Sequence, residues 1–226
     1  MPRAQLSPEA EDAMRERLIG AALRLYRDEG LNAVSFRRLA DVVGSSHTLP
    51  YRYFTDKQAL LAAMRCQCTR RFEHFVIGRA DAQTGVEARI RALAAAYIEF
   101  ACRYTADYLL IFTTEQPPAT VYPELLAARR DVFDYAAELI QAGVDSGLLA
   151  GDPRTTAHLL WVTLHGLTTL YAANQLVHGR SLDELVAPVI EAALVAVTAG
   201  KFTNDGADHK QSHRHFEPVG RRSGGV

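Results

Sequence analysis

The stretch Ser35–Leu60, reading SFRRLADVVGSSHTLPYRYFTDKQAL, constrains the fold of this chain more than any other segment. Ser35 is a plausible N-cap for a short helix that should end at Gly44. Four apolar residues recur at helical spacing and predict one buried stripe on that helix: Phe36, Leu39, Ala40 and Val43. A very short second helix follows, and Lys57 opens a third. This order is the layout of a helix-turn-helix.

Pro50 limits the second helix of this motif. Proline is tolerated in the first turn of a helix but not deeper inside it. We therefore predict a recognition helix that starts near His47 or Thr48 and ends by Phe54, a length of about two turns. A helix that short has little stability of its own and must be held by packing, for which Leu49 and Phe54 are the candidates.

The outward side chains of the motif suit contact with DNA. Arginine can fork onto a guanine edge, threonine can meet a base edge or a thymine methyl group, and tyrosine hydroxyls can reach phosphates. Lys57 opposes the dipole of the helix that it opens, and a phosphate contact would account for its position. The predicted DNA-binding residues are Ser35, Arg37, Ser46, His47, Thr48, Tyr51, Arg52, Tyr53 and Lys57. The alternatives are a solvated surface lysine at Lys57 and half-buried packing for Tyr51 or Tyr53.

Residues 15–64 resemble the N-terminal DNA-binding domain of TetR-family transcriptional regulators. The matching elements are an Ala-rich helix ending in YRDEG at residues 26–30, the Ser35 to Ser46 segment, and YRYFTDKQAL at residues 51–60. Thr48 and Pro50 depart from the family pattern, which bears on the tilt of the recognition helix and on the operator sequence. WVTLHGL at residues 161–167 is similar to the Trp…His-Gly type of TetR-family C-terminal domain.

The remainder of the chain reads as helix after helix, without the alternation and hairpin turns of strands. We predict an all-α fold with three parts. Residues 1–55 form a three-helix helix-turn-helix domain, residues 56–200 form a helical ligand-binding and dimerisation bundle, and residues 201–226 form a disordered tail with few apolar residues. The tail histidines could bind a metal ion, but a solvated tail is the simpler interpretation. We predict no metal, no cofactor and no catalytic residues.

Charge and composition agree with a DNA-binding N-terminal half. Residues 1–80 carry 13 Lys and Arg against 9 Asp and Glu, whereas residues 81–226 carry 12 against 17. The net positive charge therefore lies in the part of the chain that holds the helix-turn-helix, as attraction to DNA phosphates requires. No apolar run approaches the ~20 residues that span a bilayer, and the N-terminus does not read as a secretory signal. Three cysteines without metal-ligand spacing predict reduced thiols and a cytoplasmic location.

Aromatic and polar side chains in an apolar setting favour a pocket in the middle helices. Trp161 and His165 are four residues apart and therefore share one helix face. For each residue taken singly, core packing is the alternative. The predicted ligand-binding residues are Tyr97, Phe100, Tyr104, Tyr108, Phe112, Phe133, Trp161 and His165.

The last two helices, residues 154–178 and 182–198, are the predicted dimer interface. The second carries a wide apolar stripe from Leu182 to Val197, and the first adds Leu160, Leu164 and Leu167. The resemblance implies a four-helix interface made with a second copy. The alternative is that these residues close the core of one chain.

The resemblance implies a dimeric repressor that a small, mostly apolar effector releases from its DNA operator. An activator, or a DNA-binding regulator that needs no ligand, is the alternative. An enzyme built on His165, Cys102 and Asp107 is a further possibility. The sequence contains no nucleophile motif, phosphate loop or metal constellation in its favour.

Overall fold

A computed structural model describes residues 7–112, 116–117 and 121–198. Its described part is all-α, as predicted. In chain order the helices are α1 (Pro8–Glu29), α2 (Phe36–Val43), α3 (Pro50–Tyr53), α4 (Lys57–Asp81), α5 (Val86–Arg103), α6 (Thr105–Phe112), α7 (Pro123–Asp145), α8 (Pro153–Ala172) and α9 (Leu182–Thr198). A 3-10 turn, Leu31–Ala33, joins α1 to α2. The predicted tail, with His209, His213 and His215, lies outside the described residues.

Side-chain caps set where several helices begin. In each case a serine or aspartate oxygen accepts a hydrogen bond from a free amide of the first turn. The cap–amide pairs are Ser7–Ala10 (3.3 Å), Ser35–Arg38 (3.4 Å), Asp56–Ala59 (2.8 Å) and Asp152–Thr155 (2.7 Å). At α9, Ser181 and Glu184 exchange side-chain to backbone bonds in a capping box. Helix starts in this chain therefore follow from local chemistry.

The recognition helix is shorter than predicted. It begins at Pro50 rather than near residue 47, and it makes one turn instead of two. The segment before it is a turn, closed by the Leu49 amide donating to the Ser46 carbonyl at 2.9 Å. Pro50 occupies the first helical position, where its missing N–H costs nothing. Pro50 is buried, whereas Leu49 is only half-buried, so the proline itself anchors the helix.

Glycine and asparagine act differently at two helix ends. α4 continues through Gly78 to Asp81, because a glycine inside a helix weakens it without ending it. α8 ends at Ala172, not near residue 178. Asn174 has φ 54°, and the Gln175 amide turns back to the Leu170 carbonyl at 2.8 Å. Asparagine tolerates this left-handed conformation and can end a helix as glycine does.

The long helix α4 connects the two halves of the molecule. It packs against α1 on one side and against α5, α6 and α7 on the other. The buried core is continuous along it, from Leu18 and Leu39 in the N-terminal half to Phe72 and Phe100 in the C-terminal half. Among the described helices, none combines the length and apolar character that crossing a membrane requires.

Candidate DNA interface and effector cavity

Three features fix the end of α2 and the position of the short α3 beside it. Gly44 adopts φ 68° and ends α2, which turns the chain sharply. The Arg17 guanidinium on α1 donates to the Val43 carbonyl at 2.9 Å, at the negative end of the α2 dipole. The Phe36 and Tyr51 rings meet edge-on, with centroids 4.5 Å apart. Packing thus supplies the order that a one-turn helix lacks.

Most of the predicted DNA-binding side chains lie on one exposed surface. Arg37, Ser46, His47, Thr48, Tyr51, Arg52 and Lys57 are exposed, and Ser35 is half-buried. Arg37 and Arg52 form no ion pair with another described residue, so their charges are available to phosphates or bases. Lys57 Nζ donates to the Leu31 carbonyl at 3.5 Å, a long bond that a phosphate could replace.

The two tyrosines of the motif have different environments. The Tyr51 side chain is 64% exposed. Tyr53 is half-buried, and its hydroxyl oxygen has no accessible surface and no hydrogen-bond partner among the described residues. Tyr51 is therefore open to solvent, whereas Tyr53 packs inward.

A buried carboxylate connects the DNA-binding half to the C-terminal half. Asp107 on α6 has a side chain only 2% exposed. It accepts two hydrogen bonds from Arg27 on α1, at 2.7 and 2.9 Å, and one from Arg71 on α4, at 2.7 Å. The Tyr26 hydroxyl donates to the neighbouring Ala106 carbonyl at 2.9 Å. The start of α6 is thus bound to the end of α1.

A cavity of about 340 Å³ lies between α4, α5, α6, α7 and α8. Four predicted ligand-binding residues line it: Tyr97, Phe112, Phe133 and Trp161. The other four, Phe100, Tyr104, Tyr108 and His165, do not belong to the lining. Phe100 and Tyr108 are fully buried in the core, and Tyr104 stacks under the Arg71 guanidinium at 3.9 Å.

His165 and Tyr108 form a polar network behind the cavity wall. The Tyr108 hydroxyl lies 2.7 Å from His165 Nδ1 and 2.5 Å from Thr168 Oγ1. The Tyr97 hydroxyl, 3.3 Å from the same ring nitrogen, accepts from Trp161 Nε1. Burial lowers the pKa of His165 and raises the pKa of Tyr97, so both groups stay uncharged at neutral pH. This network shapes the wall rather than offering charge to a ligand.

Similar proteins place the architecture in a family. A family model for bacterial regulatory proteins of the tetR family matches residues 18–64, and one for the Tetracyclin repressor-like C-terminal domain matches residues 90–193. Together they span most of the chain. The chain belongs to the TetR family of transcriptional regulators. Among curated proteins, none matches this chain.

Solved structures share the fold of this TetR-family regulator across nearly their whole length. A protein of unknown function from Rhodococcus sp. RHA1 is 25% identical, with TM-score 0.73, over 88% of this chain and 99% of that one. A putative TetR-family regulator from Vibrio parahaemolyticus is 22% identical, with TM-score 0.66, over 81% and 97%. The fatty acid degradation regulator FadR from Bacillus halodurans is 18% identical, with TM-score 0.64, over 84% and 96%.

The cavity of this TetR-family regulator also includes side chains that were not among the predicted ligand-binding residues. Arg129 on α7, Gln116 and Phe72 on α4 line it. Arg129 lies one helical turn before Phe133, a spacing that places both on one face. That spacing was the available signal, but a solvated arginine is the ordinary interpretation of such a position.

The outer faces of α8 and α9 are exposed and apolar. On α8, Leu159, Val162 and Leu170 are 37%, 63% and 48% exposed, and Gly166 lies between them on the same face. Pro188 and Ala192 are exposed on α9. The predicted interface residues Leu160, Leu164 and Leu167 are instead buried within the protomer. The stripe of α9 also packs inward as far as its side chains are described, because α9 closes the core against α5 and α8.

In the described part of this TetR-family regulator, the residues that could support metal binding or catalysis are not grouped into a site. Its three cysteines are free thiols, and burial raises the pKa of Cys68 to about 12. No group of three or more His, Cys, Asp or Glu side chains there is placed to hold a metal ion. Asp107 is paired with two arginines, and no hydrogen bond within the described residues joins it to His165 or to Cys102.

Proposed function

We propose that this DNA-binding regulator is a dimeric repressor of the cytoplasm, and that a small, mostly apolar effector releases it from its operator. The DNA contacts come from Ser35, Arg37, Ser46, His47, Thr48, Tyr51, Arg52 and Lys57. Arg52 and Thr48 read base edges, and the others hold phosphates and set the register. We leave the predicted residue Tyr53 out of this set because its hydroxyl is buried.

A second copy of the chain completes the DNA-binding unit. One short recognition helix reads too few bases to be selective, and a dimer reads two half-sites about one helical turn, or a multiple of it, apart. The exposed apolar face of α8, with Val162 63% exposed, supports packing against the same face of a partner. α9 contributes Pro188 and Ala192 to the same interface.

The main support for the proposed ligand response is the position of α6. This helix has eight residues. Its first turn holds Asp107 against Arg27 of α1, and its last turn contributes Ile111 and Phe112 to the cavity. A molecule that enters the cavity displaces one end of α6, and the other end is bound to the DNA-binding half. An effector shifts the equilibrium by its difference in affinity for the two conformers.

α4 contributes to the same coupling. Phe72 and Val76 line the cavity, Arg71 binds Asp107, and Lys57 in the first turn of α4 belongs to the DNA surface. A difference of 2–3 kcal/mol between conformers, within the range typical of allosteric proteins, changes operator affinity by roughly 30- to 150-fold.

Fluorescence anisotropy on DNA from upstream of the chain's own gene, against a scrambled fragment, tests the DNA-binding part. At about 150 mM salt the sequence-independent phosphate contribution is suppressed. We expect a preference of 10³-fold or more for the native fragment, lost in Y51A and R52A variants. Equal binding to both fragments, together with no site from genome-wide selection, would reject the operator proposal.

A thermal-shift screen of apolar small molecules tests the effector part. Molecules that stabilise the protein are added to the anisotropy assay, and we expect them to release the operator fragment. An activator would instead bind the operator more tightly with effector bound. If no molecule that saturates the cavity changes operator affinity, the chain is a ligand-independent regulator.

A further inference from the structure

The charge distribution in the cavity narrows the chemistry of its ligand. Among the described residues that line the cavity, Arg129 alone carries a formal charge. The surrounding lining is apolar, with Phe133 and Ala136 following Arg129 on the same face of α7. No acidic side chain belongs to the described lining. The cavity therefore has one positive end and an apolar body.

The neutral polar groups of the lining already bond within the protein. Thr69 Oγ1 donates to the Arg65 carbonyl at 2.8 Å, and Trp161 Nε1 donates to the Tyr97 hydroxyl at 3.3 Å. Gln116 Nε2 donates to the Leu110 carbonyl at 3.3 Å. These side chains have little left to offer a polar ligand group, because their donors are in use.

Arg129 is different, since most of its donors have no hydrogen-bond partner among the described residues. A guanidinium has five N–H donors, and the Arg129 side chain gives one, from Nη2, to Gln116 Oε1. Arg129 is half-buried, and no carboxylate among the described residues pairs with it. Burial lowers the pKa of Arg129 with no acidic group offsetting the effect. A charge in this position is stabilised by an anion in bidentate contact.

The dimensions of the cavity limit the rest of the ligand. The stripe from Arg129 to Ala136 on α7 is about 10 Å long at the helical rise of about 1.5 Å per residue. A cavity volume of about 340 Å³ is near the lower end of the roughly 300–1,000 Å³ that is typical of sites for small molecules. A small ligand with an anionic group at one end and an apolar body suits this space.

We infer that the effector is an apolar carboxylate whose carboxylate group binds Arg129 and whose medium-length alkyl or aryl body fills the cavity. This inference rests on the proposed function, because it names the chemical class of the effector. The carboxylate competes with Gln116 Oε1 for the guanidinium. Gln116 also binds the Leu110 carbonyl of α6, so capture of Arg129 by the ligand alters the contacts of the helix that reaches the DNA-binding half.

Binding of matched probes to the full chain tests the inference. Trp161 is the only tryptophan of the chain and lines the cavity, so its emission reports occupancy directly. The probes are decanoate, decanamide and decylammonium, which share one alkyl chain and differ in the charge of the head. We expect decanoate to bind roughly 10- to 100-fold more tightly than decanamide, as for a charge-assisted hydrogen bond, and decylammonium to bind least.

Variants of Arg129 test whether the preference for decanoate over decanamide depends on this side chain. R129Q should lower decanoate affinity by the same roughly 10- to 100-fold and leave decanamide affinity within about twofold, while R129K restores part of the preference. R130Q, which removes the neighbouring exposed arginine, is the matched control and should change neither affinity. Circular dichroism melting checks that each variant is folded, and the comparison of probes on the unmodified chain does not depend on any variant.

Three results would overturn the inference. They are equal affinity for decanoate and decanamide, unchanged decanoate affinity in R129Q, and no response of Trp161 to any probe. Operator affinity separates this failure from failure of the proposed function. If decanamide binds as well as decanoate and releases the operator, the carboxylate class is wrong and the repressor proposal stands. If probes fill the cavity and none changes operator affinity, the proposed function fails instead.

Discussion

At the scale of single residues, the two tyrosines of the helix-turn-helix have different environments, and we propose different roles for them. They are two positions apart and chemically identical. Tyr51 is 64% exposed and rests edge-on against Phe36, whereas the Tyr53 hydroxyl is buried without a partner among the described residues. A buried hydroxyl that forms no hydrogen bond is destabilising. Tyr53 therefore contributes through its ring.

Removing each hydroxyl in turn gives a matched test. Y51F should weaken operator binding about tenfold, because a hydroxyl bond to a phosphate is lost. Y53F should leave operator affinity unchanged, and it should keep or raise the free energy of unfolding by up to about 1 kcal/mol. Anisotropy and urea unfolding measure the two effects. A loss of operator affinity in Y53F equal to that in Y51F would contradict this assignment.

Sequence reasoning predicted the residues whose role depends on near neighbours in the chain. It did not predict side-chain orientations that depend on how the helices pack. The Ser35 cap and the buried stripe starting at Phe36 depend on neighbours within one or two turns, and the structure has both. The inward turn of Tyr53 depends on the true length of α3. Arg129 faces the cavity because α4, α5 and α8 close around it. Its spacing from Phe133 shows that the two share a face of α7, but not that this face borders a cavity.

At the scale of elements, α6 is the shortest described helix of the C-terminal half and has contacts in two directions. A helix of eight residues is about 12 Å long, so its ends cannot move independently. Asp107 binds the end of α1 and Phe112 reaches the cavity. We propose α6 as a second route for coupling beside α4. The contacts at the two ends of α6 cannot be read from the sequence, because they depend on how α1 and the cavity pack around it.

Neutralising Asp107 tests this route. D107N keeps the shape of the side chain but weakens its bonds to Arg27 and Arg71, which should lower the free energy of unfolding by about 1–3 kcal/mol. It should also reduce the change in operator affinity that a cavity ligand produces. The control is D131N, which breaks the exposed Arg70–Asp131 pair and should cost less than about 1 kcal/mol. Full ligand response in a folded D107N variant would exclude α6 as the route.

At the scale of the whole molecule, α8 is apolar on two different faces. Leu160, Leu164 and Leu167 complete the core of the protomer, and Val162 belongs to the exposed face. An apolar surface wider than one stripe is typical of a helix that is buried on more than one side. Sequence reasoning located the helix, but the leucines that it assigned to the interface are buried within the protomer. Both stripes have the same period, so the pattern alone does not distinguish them.

A charge on the exposed face should separate the protomers. V162D should convert the protein from dimer to monomer in light scattering coupled to size exclusion, with its helical circular dichroism signal retained. Operator affinity should fall by roughly 10²-fold or more, since the two half-sites are no longer bound by one linked unit. V121D, which changes an exposed valine before α7, is the control and should remain dimeric. A monomeric wild-type chain that binds its operator fully would contradict the proposed assembly.

As the proposed dimer interface, the exposed stripe of α8 would also make the response of such a regulator depend on how much of it the cell produces. Below the dissociation constant of the pair, the concentration of dimers rises with the square of the protomer concentration, so halving synthesis leaves about a quarter of the operator-competent species by mass action. One apolar helix face would in this way set a threshold of expression, below which the regulated genes are silenced poorly whether or not a ligand is present.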